Sequence, residues 1–500
     1  MLLAALMFWW IAVVPPPASA QWTLTYVVGE QNATAALGRD RVMPMRMSLD
    51  RARLKLESIL SGSTGNARFV VLWENPSSPT AVANATVSMF HTATVAIAKD
   101  KLTNQATADN EPASEVLLYE SLPASSIPFR FDTATTLFAT QVAIPNALNK
   151  HLAFQPTTEQ TDGTIRFRPP SPTLKWQFWP KRDGPVLPEY ELFEAVAIHE
   201  SLHLLGFDSV AEASTTPSTL DSWDLFRFAD TSVPIDAIEF ETLPRELRPT
   251  VDATAITLLG STTKAYKLSR GRRTGGDGFQ AAHWRSLSLL TPPTAIGVMD
   301  PGGSFPMYSS LGKRLYTRAD VEALDVMGWN VNPDAVQYTA ADPVNLVAPA
   351  ATAQFTTGEA ITFSWQPGPF NDWSVFITRV EEIGNDNPIK VFYQLPPETT
   401  SVILEAAESL PPGEYVWSVV GATAAGYADS EDRSLTILPA CDPDINCDGN
   451  IDQDDIVCIV SAVGGDPTCA CGDPDFNQDG NLDQEDVARL TEVVAGGPCP

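Results

Sequence analysis

A chain of 500 residues is too long for one hydrophobic core, so several domains are expected. A formal charge of −29 argues against nucleic acid or another polyanion as a partner. Residues 441–500 hold 12 Asp and 2 Glu against one Arg, so nearly half of the excess lies there and points to cation binding.

Residues 1–14 form an apolar run that leads through three prolines to Ala18-Ser19-Ala20. The run is short for a bilayer span. Its small-residue ending predicts a signal peptide over 1–20, cleaved after Ala20. The mature chain is then expected outside the cell, without a stable membrane span. All six cysteines (Cys441, Cys447, Cys458, Cys469, Cys471, Cys499) lie in the last 60 residues and predict disulfides of open connectivity.

Residues 21–335 read as a mixed α/β domain. Leu54, Leu56 and Leu60 recur near helical spacing and predict a helix over 49–60. Ala67–Trp73 and Thr164–Arg168 read as strands. Trp176 and Trp179 fall in the core or line a cleft. The apolar run Ala195–Ile198 leads into His199-Glu200-Ser201-Leu202-His203-Leu204-Leu205-Gly206.

Two histidines four residues apart stack on one helical face, where both reach one metal ion. Glu200 beside them is placed to take a proton from a metal-activated water, the core of a zinc peptidase. Gly206 can end the helix in a left-handed turn. A catalytic zinc needs a third protein ligand. Ser209, where the commonest long form of the motif has that ligand, binds zinc poorly. His283 in Ala281-Ala282-His283-Trp284 is the preferred candidate, and Asp208, Glu212 and Glu239 are the others. Met299 follows in the turn Val298-Met299-Asp300-Pro301. Thr317 and Asp320 mark the start of a helix that Gly328 ends.

With Gly206, His283 and Met299, the motif resembles the metzincin metalloproteases that carry a long insertion before the third histidine, such as leishmanolysin. The run Trp223–Phe228 and the turn Gly275–Gly278 are similar to those of related secreted bacterial metalloproteases. The resemblance covers residues 190–330 best. It implies one zinc on His199, His203 and His283, an insertion over about 207–282, and Met299 as a Met-turn beneath the metal. Glu200 would be general base in hydrolysis of a protein or peptide substrate, with Tyr308 a candidate donor to the oxyanion. The alternative is a catalytically inert zincin-fold adhesion protein, against which the intact Glu200 speaks.

Residues 345–439 alternate like strands at Ala360–Trp365, Trp373–Ile377, Lys390–Tyr393 and Glu414–Val420, separated by turns. They resemble a fibronectin III or immunoglobulin-like β-sandwich. In residues 441–500 a motif recurs. Asp444, Asn446, Asp448, Asn450, Asp452 and Asp455 match Asp475, Asn477, Asp479, Asn481, Asp483 and Asp486, with Gly449 and Gly480 between them. Oxygen groups at these spacings with a central Gly suit calcium, two ions in all. The paired loops, each before one helix and each ending in Asp, resemble the small α-helical dockerin module. That resemblance implies a cohesin-like protein partner. A self-contained module clamped by disulfides is the other reading.

Overall fold

The computed structural model describes residues 22–497 except 61, 77, 79–80, 155–159, 179–189, 260–261, 292–294, 302–315, 333–343, 369, 371, 381–388, 424–425, 439–441, 472 and 478. The proposed signal, Trp179, Tyr308, Cys441 and Cys499 lie outside the described residues.

Asn66–Trp73 alternates exposed and buried positions and forms a central strand. It pairs in parallel with Thr23–Val28 on one side and Gly163–Phe167 on the other. Ala83–Val87 closes the sheet as an antiparallel edge strand on Gly163–Phe167. The helix expected over 49–60 runs over Arg39–Ile59 instead, with Pro44 inside it. Pro44 stands in the second turn, so it costs the helix one i→i−4 bond, to the carbonyl of residue 40, and the ladder continues beyond it.

The helix Phe193–Leu205 lies across this sheet and against the long helix. Gly163 permits the approach, since a Cβ there would stand 2.4 Å from the Leu204 side chain. Glu194 is wholly buried, and Lys55 and Arg51 of the long helix answer it at 2.6 and 3.0 Å. Trp73 stacks on Phe193 with centroids 5.6 Å apart, and Phe167, Trp176 and Phe178 complete the cluster. Each such ring contributes on the order of 1.5–3 kcal/mol by burial, which fixes the start of the helix. Trp176 is thus core and lines no cleft; its indole donates to the Arg168 carbonyl.

One continuous apolar cluster runs from Trp22 to Val331. Residues 207–282 belong to it through Phe207, Leu220, Trp223, Phe226 and Ile256. Their strands join those of the first part: Thr219–Asp221 pairs with Gln141–Pro145, and Arg245–Glu246 with Ile127–Arg130.

A second core spans Val344–Ile437. Leu346–Ala348, Ile361–Trp365 and Ser401–Leu404 form one sheet. Ala353–Thr356, Arg433–Leu438, Gly413–Thr423, Asp372–Arg379 and Lys390–Leu395 form the other, with Gly426–Asp429 beside Gly413–Thr423. Inward Phe363, Trp373, Val375 and Trp417 make this a β-sandwich. Tyr415 donates to the Pro411 carbonyl at 2.6 Å, a tyrosine corner as in immunoglobulin-like sandwiches.

A third, small core gathers Ile445, Cys458, Ile459, Phe476 and Leu490. It sits between the helices Gln453–Val463 and Gln484–Val494 and is clamped by the disulfides Cys447–Cys471 and Cys458–Cys469. Among the described residues three main cores thus lie along one mixed α/β chain, and a small cluster of Met47, Phe376 and Val420 joins the first to the second. Among the described residues no helix is long and apolar enough to cross a membrane.

Candidate metal centre

The helix Phe193–Leu205 is buried nearly all round, and His199 and His203 share its half-open face with ring centroids 5.1 Å apart. Gly206 ends it at φ 138°, where a side chain would be strained and its Cβ would stand 3.0 Å from Met327 Sδ. The turn sends the Phe207 carbonyl back to His203 Nδ1 at 2.5 Å.

The chain returns to this face at His283. Its Nε2 stands 2.9 Å from that of His199 and 3.3 Å from that of His203. Each ring is oriented by a backbone carbonyl at Nδ1: Val298 for His199 at 2.7 Å, Phe207 for His203, and Gln280 for His283 at 3.1 Å. A carbonyl only accepts, so each Nδ1 carries the proton and each Nε2 presents a lone pair. Three converging lone pairs repel one another, and a cation between them removes the conflict. Burial first, then neighbouring histidine charge, holds His199 down to about 3 and His283 well below its usual value; burial also lowers His203. Protons therefore do not compete for the site at neutral pH. Neutral imidazoles with outer nitrogens locked by carbonyls could hold a metal ion that favours nitrogen ligands, such as zinc.

Glu200 is 6% exposed, and burial pushes its carboxyl up to about 8. It accepts the backbone N–H of Ala85 on the edge strand. Val82 and Ser88 bond across to Arg168 and Asp162 of the neighbouring strand. By antiparallel alternation, Ala83, Ala85 and Val87 turn their backbone groups to the open edge. Glu200 therefore sits at that edge.

The support around His283 was not readable from the sequence. Arg227 is fully buried and fans out to the carbonyls of Glu246, Ser269 and Ala281 at 2.7, 2.7 and 3.0 Å. The signal was an arginine inside the aromatic run Trp223–Phe228, which only a satisfied guanidinium can occupy. Asp320 accepts the indole N–H of Trp284 at 2.8 Å and the amides of Val298 and Thr317 at 2.9 and 2.8 Å. Gly297 leaves room for it, since a Cβ there would lie 2.2 Å from its carboxylate. Met299 is fully buried, and its carbonyl accepts from Trp284 N at 3.0 Å.

The other candidate ligands are engaged elsewhere. Glu212 accepts the amides of Ala281 and Arg272 at 2.7 and 3.1 Å, so it braces the loop that delivers His283. Asp208 accepts Ser209 N at 2.8 Å, and Glu239 accepts Ile235 N at 3.0 Å. Ser209 turns its hydroxyl to Asp224 at 2.6 Å, away from the histidines. Of these residues, only His199, His203 and His283 bring ligand atoms within 4.8 Å of one another.

The two tail loops share most of their hydrogen bonds and differ at one, since Asp448 N donates to Asp444 Oδ1 at 3.1 Å and Asp479 N makes no such bond to Asp475. Gly449 and Gly480, at φ 88° and 86°, donate to Asp444 and Asp475 at 3.0 and 2.9 Å. Asn450 and Asn481 donate their amides to Asp448 and Asp479, both at 2.8 Å. Asp452 with Asp455, and Asp483 with Asp486, form capping boxes that start the two helices. Asp455 also accepts Asn446 N, and Asp486 accepts Asn477 N. Asp475 Oδ1 is buried without a partner, an orphan that a cation suits. The loop carboxylates do not draw together as the histidines do. The apolar Ile451 and Leu482 after the two asparagines are 56% and 39% exposed rather than packed against each other.

No family model and no curated protein matches this chain. Solved structures similar to part of it include fibronectin(III)-like modules of Clostridium thermocellum CbhA, at 17% identity and TM-score 0.15 over 19% of this chain and 93% of that one. CopC from Methylosinus trichosporium OB3b is similar at 16% identity and TM-score 0.15, over 19% and 94%.

Proposed function

We propose that this chain is a secreted zinc-dependent endopeptidase of metzincin type. The observation that carries the reading is the convergence of three Nε2 atoms, at 2.9 and 3.3 Å from the central His283, each freed by a carbonyl at its Nδ1. His199, His203 and His283 would hold the ion, with Met299 packed nearby as the Met-turn. A zinc ion bound there supplies Lewis acidity and makes water a nucleophile at neutral pH.

The chain's own residues do the rest. Positive charge at the three histidines favours ionised Glu200 over the neutral form that burial prefers. Ionised Glu200 takes the proton of the attacking water and hands it to the leaving amine. Along that edge Ala83 and Val87 turn N–H and C=O groups outward on either side of the Ala85 amide held by Glu200, which favours an extended peptide over other hydrolysable substrates.

Residues 441–500 are read as a paired calcium module, dockerin-like in its repeated loops and capped helices. The repeated hydrogen bonds and the orphaned Asp475 Oδ1 support two calcium sites, with docking to a cohesin-like partner as the implied role.

The test is metal analysis with a cleavage assay on a denatured protein, comparing the parent with Glu200→Ala. Both should retain stoichiometric zinc. The variant should lose roughly 10²–10⁴-fold in rate, the usual share of a general base. A zinc-loaded parent that cleaves nothing in a chelator-sensitive manner would instead establish the inert binding protein.

A further inference from the structure

Three carboxylates meet far along the sequence from the histidines. Glu111 lies just before the helix Ala113–Glu120, Glu115 lies in its first turn, and Asp325 lies near the end of the helix Arg318–Val326. Their ligand oxygens all fall within 4.8 Å of one another. Asp325 is 1% exposed and Glu115 2%, while Glu111 is half-buried at the rim.

The cluster lacks what buried charge requires. Asp325 Oδ1 and Glu115 Oε2 are buried and accept no hydrogen bond. The Tyr119 hydroxyl reaches Glu115 Oε1 at 2.9 Å but must also serve the carbonyls of Asp325 and Val326. Among the described residues no lysine or arginine forms an ion pair with any of the three. An unpaired buried carboxylate is costly, and three together more so. A cation or bound protons must neutralise them. Two buried carboxylates with a third at the rim make a pocket of hard oxygen donors with an entry from solvent.

We infer that Glu111, Glu115 and Asp325 form a structural site for a hard divalent cation of the calcium class, separate from the histidine centre and from the tail loops. The carboxylate oxygens supply its inner ligands, and water at the Glu111 rim completes the shell. The ion ties the end of the helix Arg318–Val326 to the helix Ala113–Glu120 and to the segment before it, where the Glu111 N–H donates to the Ala106 carbonyl. Asp320, which holds the Val298 amide and the Trp284 indole, lies on that same helix. The cation thus steadies the element that backs His283. The inference does not depend on the endopeptidase reading.

Calcium binding by the full zinc-loaded chain is counted by equilibrium dialysis for the parent and for Glu115→Gln/Asp325→Asn, with both tail loops intact. The parent should bind one calcium more than the variant, and calcium should raise the melting temperature of its histidine-bearing domain but not of the variant's. Equal counts with equal thermal shifts would overturn the site in favour of bound protons. Should the double variant fail to fold, Glu111→Gln at the half-buried rim serves instead. It should weaken the additional site by about tenfold or more, as loss of a charged ligand does. An unchanged number and affinity of sites in Glu111→Gln would equally overturn it.

Discussion

Trp284 donates its indole N–H to Asp320 at 2.8 Å, and the same carboxylate takes the amide of Val298 at 2.9 Å. One side chain thus fixes the residue after His283 and the residue whose carbonyl orients His199. The two histidines stand 84 residues apart in the sequence, and Asp320 is where their supports meet.

Asp320→Asn tests that junction. The Trp284 indole and the amides of Val298 and Thr317 all donate to the carboxylate, so an amide side chain turns an N–H toward another N–H. The loss should be about 1–3 kcal/mol of stability for a buried group left unsatisfied. Chemical denaturation of the variant, with the zinc off-rate alongside, checks it. Unchanged stability with an unchanged off-rate would refute the junction.

The third ligand is separable from its brace. His283→Ala should leave two nitrogens and lose zinc, whereas Glu212→Ala should keep stoichiometric zinc. Glu212 touches only backbone amides of the loop, at Ala281 and Arg272. Its loss should cost about 1–3 kcal/mol through the unsatisfied buried amide of Ala281 and accelerate zinc release without abolishing binding. Zinc content after dialysis decides, and a zinc-free Glu212→Ala beside a zinc-loaded His283→Ala would reverse the assignment.

Acid should weaken the domain through a histidine outside the site. His151 is buried and lies flat on Trp329, with centroids 5.1 Å apart, and burial lowers its pKa. The unfolded chain takes up this proton near pH 6.5, while the folded ring resists it. Below that value the unfolded state binds more protons, so stability falls as pH falls. The contribution reaches at most ~1.4 kcal/mol per pH unit for one group. Between about pH 7.5 and pH 5.5 the zinc-saturated parent should lose more stability than His151→Phe, which keeps the stacking. Equal losses would show that His151 is not the group concerned.

The helical face of His199 and His203, the glycine stop, and the Thr317–Asp320 cap were legible because each depends on residues within one or two turns. The structure adds His283 to the same face, some 80 residues on. What the sequence could not show were partners set by burial across long separations. Arg227 reads as a charge in an aromatic run until its three carbonyls are seen. Glu212 reads as a candidate ligand because nothing local reveals that it faces Ala281 N. The strand Ala83–Val87 has little apolar alternation, being an edge paired on one side only. The leucines Leu54, Leu56 and Leu60 mark only the last part of the long helix, which begins ten residues before 49.

The tail repeat gives a paired prediction. Asp455 accepts Asn446 N and Asp452 N at 3.1 and 2.9 Å, and Asp486 accepts Asn477 N and Asp483 N at 3.0 and 2.8 Å. Alanine at either position removes a capping box, worth about 0.5–2 kcal/mol, and one calcium ligand. Each variant should therefore lose one tail site. The structural cost should differ, because both described disulfides anchor the first half through Cys447 and Cys458. Asp455→Ala should then hold its backbone better than Asp486→Ala, and reduction should narrow the gap. The amides of Gly449 and Gly480, each bonded to the first Asp of its loop, report on the two halves separately by NMR. If both amide signals collapse together in either variant, the halves order as one unit and the disulfide argument fails.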